Sequence, residues 1–189
     1  MEDHRPLPLH GAAATASAIF APAGARQGKL KANVETCYPG MVKQFMAVEL
    51  REISKDNWRE CIKLKTSDEQ TGFVAPNLFS IAQSKVEQYL LPLAIYDGEV
   101  MVGFIMYGRD PADDCYCVAR LMIDERHQGK GYGRAGMLEA IERMRAKADC
   151  REIALSIEPE NAVAEKLYES LGFRKTGEVI EGEVLMRLS

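Results

Sequence analysis

The chain predicts a mixed α/β domain, an α+β arrangement in which one sheet is flanked by about four helices. Three observations carry that prediction. Short apolar runs and helix-spaced segments follow one another in the order β-α-α-β-β-β-α-β-α-β-β. The dipeptides Asp97-Gly98 and Glu181-Gly182 each join two apolar runs, as hairpin turns do. A glycine-rich stretch, Gln128 to Gly136, separates a strand from a helix.

The elements follow in order. Val48 to Ile53 alternates apolar and charged residues, the pattern of a half-buried strand. Ser54 is placed to cap a helix from Lys55 to about Lys65, with Trp58, Cys61, Ile62 and Leu64 toward the core. A connector leads to Asn77, which is placed to cap a second helix running to about Leu90 and stopped by Pro92. Leu93 to Gly108 reads as a hairpin, Arg109 to Asp114 as an acidic turn and Cys115 to Asp124 as a strand. Beyond the glycines, Met137, Leu138, Ile141 and Met144 have helical spacing. Glu152 to Ile157 is a strand, and Asn161 to Phe173 a helix with Gly172 at its C-terminal cap. Arg174 to Ile180 and Glu183 to Leu188 close the domain as a second hairpin.

Bulk properties exclude several functions. The net charge is −4 for the whole chain, and residues 46–189 hold 19 basic against 25 acidic side chains. That balance argues against a general nucleic-acid surface. No run of 18 apolar residues is present, so no membrane-spanning helix is expected. The five cysteines, Cys37, Cys61, Cys115, Cys117 and Cys150, form no C-x-x-C pair. Free thiols, a reducing cytoplasm and no metal are therefore expected. Residues 1–45 are rich in Ala and Gly. Arg5 and Ala21-Pro22-Ala23 hint at a signal peptide, but Glu2, Asp3 and the interrupting Pro22 oppose it. The expectation is a disordered leader over 1–45 and a folded domain over 46–189.

Gly131-Tyr132-Gly133-Arg134-Ala135-Gly136 is a G-x-G-x-x-G. A Walker loop fails, because Gly129-Lys130 is followed by Gly131 and Asp124 stands where the first glycine belongs. A dinucleotide fingerprint fits poorly, because four residues separate strand from glycines and no series of βα units follows. A bare loop leaves the concentration of cations at one helix start unexplained. A pyrophosphate cradle fits better. Gly129, Gly131 and Gly133 let backbone N–H groups approach an anion, the helix dipole adds positive potential, and Arg126, Lys130 and Arg134 add full charges.

Gln128-Gly129-Lys130-Gly131-Tyr132-Gly133 also resembles the Q/R-x-x-G-x-G/A signature of the GNAT family of N-acetyltransferases. "LMID" before the loop, "EPEN" after the next strand and "AEKLYESLGF" beyond it are similar to that family's counterparts, from about Val48 to Leu188. Within the family, "WRECIKLKTSDEQ", "VAPNLFSIAQS" and "GEVMVGFIMYG" resemble the bacterial spermine/spermidine acetyltransferase group.

The resemblance implies an acyl-CoA N-acyltransferase fold with a splayed central sheet, acetyl-CoA as co-substrate, a small-molecule amine acceptor such as a polyamine, and direct transfer in a ternary complex. A homodimer is the usual state of such proteins. The resemblance further implies that the backbone of Leu121, Met122 and Ile123 binds pantetheine and the thioester carbonyl. The pyrophosphate would lie on Gln128, Gly129, Lys130, Gly131, Tyr132, Gly133 and Arg134. Asn161 would bind the pantetheine arm, cap a helix, or do both. Tyr168 would protonate the departing thiolate. A carboxylate found on the central strand of some polyamine acetyltransferases has no equivalent in Val118-Ala119-Arg120, so the base stays open among Glu87, Glu69, Asp113 and Asp114. Arg120, mid-strand, is expected to pair with a buried acid. Other acceptors remain open: an aminoglycoside, an amino acid or a protein N-terminus. So does a non-catalytic acyl-CoA sensor.

Overall fold

The computed structural model describes residues 48–70 and 72–189. The leader expected over residues 1–45 lies outside the described residues. The strands are β1 (Glu49–Glu52), β2 (Leu90–Asp97), β3 (Val100–Asp110), β4 (Cys115–Ile123), β5 (Ile153–Ile157), β6 (Arg174–Ile180) and β7 (Glu183–Leu188). They form one seven-stranded sheet in the order β1-β2-β3-β4-β5-β7-β6. All neighbours are antiparallel except β4 and β5. The helices are α1 (Trp58–Cys61), α2 (Asn77–Val86), α3 (Tyr132–Arg145) and α4 (Ala162–Ser170).

Two clusters of buried side chains fill the two faces of the sheet. One joins Ile95, Ile105 and Val118 to Met137, Ile141 and Met144 of α3 and Tyr168 of α4. The other joins Ala94, Phe104, Met106 and Met122 to Cys61 of α1 and to Leu64, with Ile81 of α2 packed against it. Fully burying side chains such as Met137 and Met144 stabilises by about 1.5–3 kcal/mol each. Gly136 lets α3 lie close on the sheet, since a Cβ there would meet Ile95 Cδ1 at 2.8 Å. Leu138 turns outward instead of into the core expected for it.

The first two helices differ most from expectation. The helix foreseen over Lys55 to Lys65 is a single turn. At its start Asn57 Oδ1 accepts from the Ser54 N–H at 2.7 Å and Asn57 Nδ2 donates to the Glu52 carbonyl at 3.0 Å, which delays the helix to Trp58. Trp58 is 37% exposed, not in the core. Asn77 does not cap α2. It is the helix's first residue, buried, and its Nδ2 donates to the Cys61 carbonyl at 2.9 Å, tying α2 to α1. α2 stops at Val86, because Leu90 already pairs with Gly108 in the sheet. Pro92 therefore sits inside β2. It lies beyond the end of β1, so the strand has a partner on only one side there and a missing N–H is tolerated.

The backbone of β3 and the α2–β2 connection touch at Gly108, where a Cβ would lie 2.0 Å from the Tyr89 carbonyl oxygen. Gly108→Ala is expected to lower stability by about 1–3 kcal/mol, because backbone rather than a flexible side chain must yield. Urea unfolding should show a lower midpoint at unchanged slope; an unchanged midpoint would contradict this close approach.

Candidate active site

β4 pairs with β3 throughout, but with β5 only at Tyr116↔Ile153 and Cys117↔Ala154. Beyond Cys117 the edge of β4 toward β5 has no partner strand among the described residues. The local cause is a β-bulge. Met106 pairs with Arg120 and Tyr107 with Val118, which leaves Ala119 as the extra residue of β4. A bulge bends its strand and increases its twist, which turns β4 away from β5. Leu121 and Ile123 are consequently only half-buried although they lie mid-sheet, and both pack toward the cluster that holds α3 and α4. Met122 is buried on the opposite face, with Asn77 Nδ2 3.7 Å from its sulfur. The three side chains are core, and the unpaired backbone beside them is what a ligand can use.

The loop after β4 is held by Asp124, which is 2% exposed and caps a 3₁₀ turn over Glu125–His127. Its carboxylate accepts from Arg126 Nε at 2.6 Å, from the Arg126 N–H at 3.2 Å and from the Lys65 N–H at 3.2 Å. Burial pushes this carboxyl up, but the Arg126 guanidinium and the two backbone donors outweigh it and hold Asp124 below its ordinary value. Gly129 and Gly131 then take left-handed φ values of 72° and 91°. Gly131 starts α3 without any side-chain cap, so the first-turn N–H groups remain available to an anion. Gly133 faces Leu167 Cδ2 and Ile123 Cγ1, which a Cβ would meet at 3.5 and 3.6 Å.

Several of the expected ligand side chains have structural duties. Gln128 Nε2 donates to the Ile123 carbonyl at 3.0 Å and to Gln70 Oε1 at 2.8 Å. The Tyr132 ring is buried and its hydroxyl donates to Asp97 Oδ2 at 2.6 Å, so only its backbone faces the cradle. Arg126, Lys130 and Arg134 are exposed, and each has a local contact: Arg126 with Asp124, Lys130 Nζ with the Arg126 carbonyl at 2.8 Å, and Arg134 with Ser170 Oγ at 2.6 Å.

Asn161 caps α4, its Oδ1 accepting from the Ala164 N–H at 3.1 Å, which leaves both N–H bonds of its amide for another partner. Tyr168 is buried, its ring 5.9 Å from that of Phe173, and burial pushes its phenol up to about 12. It is therefore a protonated donor across the physiological range.

The candidate bases separate. Asp113 and Asp114 lie in the β3–β4 turn, beyond the Cys115 end of β4, which is itself roughly 26 Å from Ile123 at the rise of an extended strand. Glu69 is exposed in a 3₁₀ turn over Asp68–Gln70. Glu87 is half-buried, accepting from Tyr89 Oη at 3.0 Å and from Gln83 Nε2 at 3.2 Å. Gln83 in turn accepts from Arg120 at 3.4 Å, which links Glu87 to mid-β4. The buried acid expected to pair with Arg120 is not there among the described residues. The guanidinium donates to Gln83 and to the Ala119 carbonyl at 2.6 Å, and its buried Nε has no partner.

Asp124, Asp97, Gln70 and Gln83 were not legible as site residues. Asp97 reads only as a turn residue and Asp124 as a strand end, and nothing in their spacing names their distant partners.

A parted pair of parallel strands with a glycine cradle at the next helix start defines an acyl-CoA-dependent acetyltransferase. The chain belongs to the acetyltransferase (GNAT) family, whose family model matches residues 47–173. It is an N-acetyltransferase with acetyl-CoA as co-substrate. It is 30% identical over 148 residues to the spermine/spermidine N(1)-acetyltransferase of Bacillus subtilis, a match covering 75% of this chain and 97% of that protein. Its fold is similar to PaiA N-acetyltransferase from Thermoplasma acidophilum in complex with coenzyme A, at TM-score 0.58 and 19% identity over 75% of this chain and 98% of that one. It is also similar to spermidine N-acetyltransferase from Vibrio cholerae in complex with CoA and spermine, at TM-score 0.59 and 18% identity over 74% and 92%. No helix among the described residues is long and apolar enough to cross a membrane.

Asp124→Asn keeps the shape of the loop anchor and removes its charge. At pH 7 the variant is expected to be less stable by about 2 kcal/mol, the scale of hydrogen bonds to a charged group. Because the folded-state pKa is depressed, this contribution is present above the ordinary value of 3.8 and is lost as pH falls below it through the folded value. Melting curves of both proteins should therefore converge at low pH; a pH-independent gap would show that the charge contributes nothing.

Proposed function

We propose that this enzyme acetylates a polyamine such as spermidine or spermine. The observation that carries the reading is the 30% identity to the Bacillus subtilis spermine/spermidine N(1)-acetyltransferase across nearly all of that protein. The acidic balance of residues 46–189 supports it, since a polycation is drawn to such a domain. In this reading acetyl-CoA lies in the β4–β5 gap with its pyrophosphate on the N–H groups of residues 129–134. The amine arrives from the side of the sheet covered by α1 and α2, loses a proton to Glu87 directly or through water, and attacks the thioester carbonyl. A backbone N–H of Met122 or Ile123 stabilises the developing oxyanion, a bond that strengthens in the transition state.

Tyr168 donates to the departing sulfur. A phenol near 12 would give its proton uphill to a thiolate of ordinary pKa, about 8.5. Its contribution is a hydrogen bond that tightens as sulfur gains charge, with proton transfer completed as the buried thiolate leaves. Asn161 supports the pantetheine arm through its free amide hydrogens. The activity resides in residues 46–189, with 1–45 dispensable. The enzyme is cytoplasmic, which the free thiols of Cys61, Cys115, Cys117 and Cys150 support, and the family resemblance supports a homodimer.

A second reading has one specific observation in its favour. Arg120 is a half-buried cation on the acceptor side with no acid beside it, and a charge in that setting favours an anionic partner. An amine that also carries a carboxylate, such as an amino acid, would supply one. An acetyl-CoA turnover assay against spermidine, spermine, lysine and an aminoglycoside separates the readings. Spermidine or spermine is expected to give the highest kcat/KM, both for the full chain and for a chain starting at Met46. Preference for lysine would transfer the assignment to the second reading, and CoA binding without turnover of any amine would indicate a sensor.

Tyr168→Phe keeps the ring and its packing. Its kcat is expected to fall by about 10- to 1000-fold, within the usual reach of acid catalysis, with CoA affinity within a fewfold of the parent and a nearly unchanged Tm. Unchanged kcat with chemistry rate-limiting would reduce Tyr168 to a core aromatic.

A further inference from the structure

We infer that the α1–α2 connector is latched to the acetyl-CoA loop, so that binding of the co-substrate orders the connector, and that Gln70 is the positioning residue that makes the link. The inference rests on the reading that residues 129–134 hold the CoA pyrophosphate.

The latch has two parts. The first is a backbone clasp: the Lys65 N–H donates to Asp124 Oδ2 at 3.2 Å, and the Glu125 N–H donates back to the Lys65 carbonyl at 2.7 Å. The second is Gln128. Its amide nitrogen carries two hydrogens, one given to the Ile123 carbonyl and the other to Gln70 Oε1. The carbonyl can only accept, so it fixes which end of the Gln128 carboxamide faces β4. The same nitrogen then faces the acceptor oxygen of Gln70. The peptide between Ile123 and Asp124 is held from the other side as well, the Asp124 N–H donating to the Val102 carbonyl at 3.0 Å. Gln70 thus acts through Gln128 on the end of the strand that lines the β4–β5 gap.

The end of the connector nearest α2 is anchored by Val74, which packs on the core, and the part nearest Leu64 faces the loop. Between Leu64 and α2 the described residues hold one 3₁₀ turn, and Lys65, Asp68 and Glu69 are exposed. An exposed segment opens at lower free energy than the core, so three hydrogen bonds from residues 65–70 to a neighbouring loop shift its population. A ligand that stabilises the loop in its present form stabilises the connector by the same linkage, and the effect is reciprocal. The connector joins the two helices on the acceptor side of the sheet. The latch therefore gives occupied enzyme a better-ordered acceptor side than free enzyme.

Hydrogen–deuterium exchange on the full chain, with and without saturating CoA, tests this. In the parent, CoA is expected to slow exchange both in residues 125–134 and in residues 65–70. In Gln70→Ala the loop should remain protected, with CoA affinity weakened about 3- to 10-fold, while the response of residues 65–70 is largely lost. Gln70→Glu keeps an acceptor for Gln128 and should restore the connector's response; a merely structural defect would not be rescued that way. Protection of the loop without the connector in the parent would overturn the latch and leave the CoA site standing. Protection of neither would overturn the CoA site itself. A connector response that survives in Gln70→Ala would remove Gln70 from the link.

Discussion

Everything at the active site follows from an unpaired strand edge. β4 sits mid-sheet, yet after two residue pairs it has no neighbour on the β5 side among the described residues. Backbone N–H and C=O groups in such a place must find partners. A globular domain normally supplies another strand; an extended, amide-bearing ligand is the kind of molecule that fits such an edge. The bulge at Ala119 starts the divergence. The two hairpins, β2–β3 and β6–β7, pair with β4 and β5 on their outer sides and keep the sheet intact around the opening.

The cradle shows a division of labour between side chain and backbone. Gln128 and Tyr132, which a motif reader would take as ligands, spend their polar atoms on the protein: Gln128 on Ile123 and Gln70, Tyr132 on Asp97. Asp124 collects three donors in a buried position. These contacts surround glycines held in left-handed geometry at the start of α3, and they leave the backbone N–H groups there and the helix dipole free to meet an anion.

The acceptor side is built differently. Arg120, Gln83, Glu87 and Tyr89 form a chain of polar contacts from mid-β4 to the end of α2, with a cation at one end and a carboxylate near the other. Burial and the neighbouring carboxylate push the Tyr89 phenol up, so Tyr89 stays a donor to Glu87.

The sequence by itself determined the order and type of the elements, because alternation in β1, helical spacing in α3 and α4, the two X-Gly turns and the Gly172 cap are local patterns with local causes. It also marked the strand-to-helix junction with its left-handed glycines, since glycine spacing there reports a backbone requirement. Tertiary structure decided where α1 and α2 begin and end, because Asn57 and Asn77 were drawn to Glu52 and Cys61 and Leu90 was drawn into the sheet. It also decided the working partners of Asp124, Gln128, Tyr132 and Arg120. Those partners lie 58 residues away for Gln128 and 35 for Tyr132. A polar side chain at the end of a strand or in a loop carries no periodicity, so its destination is set only when the sheet has brought distant segments together.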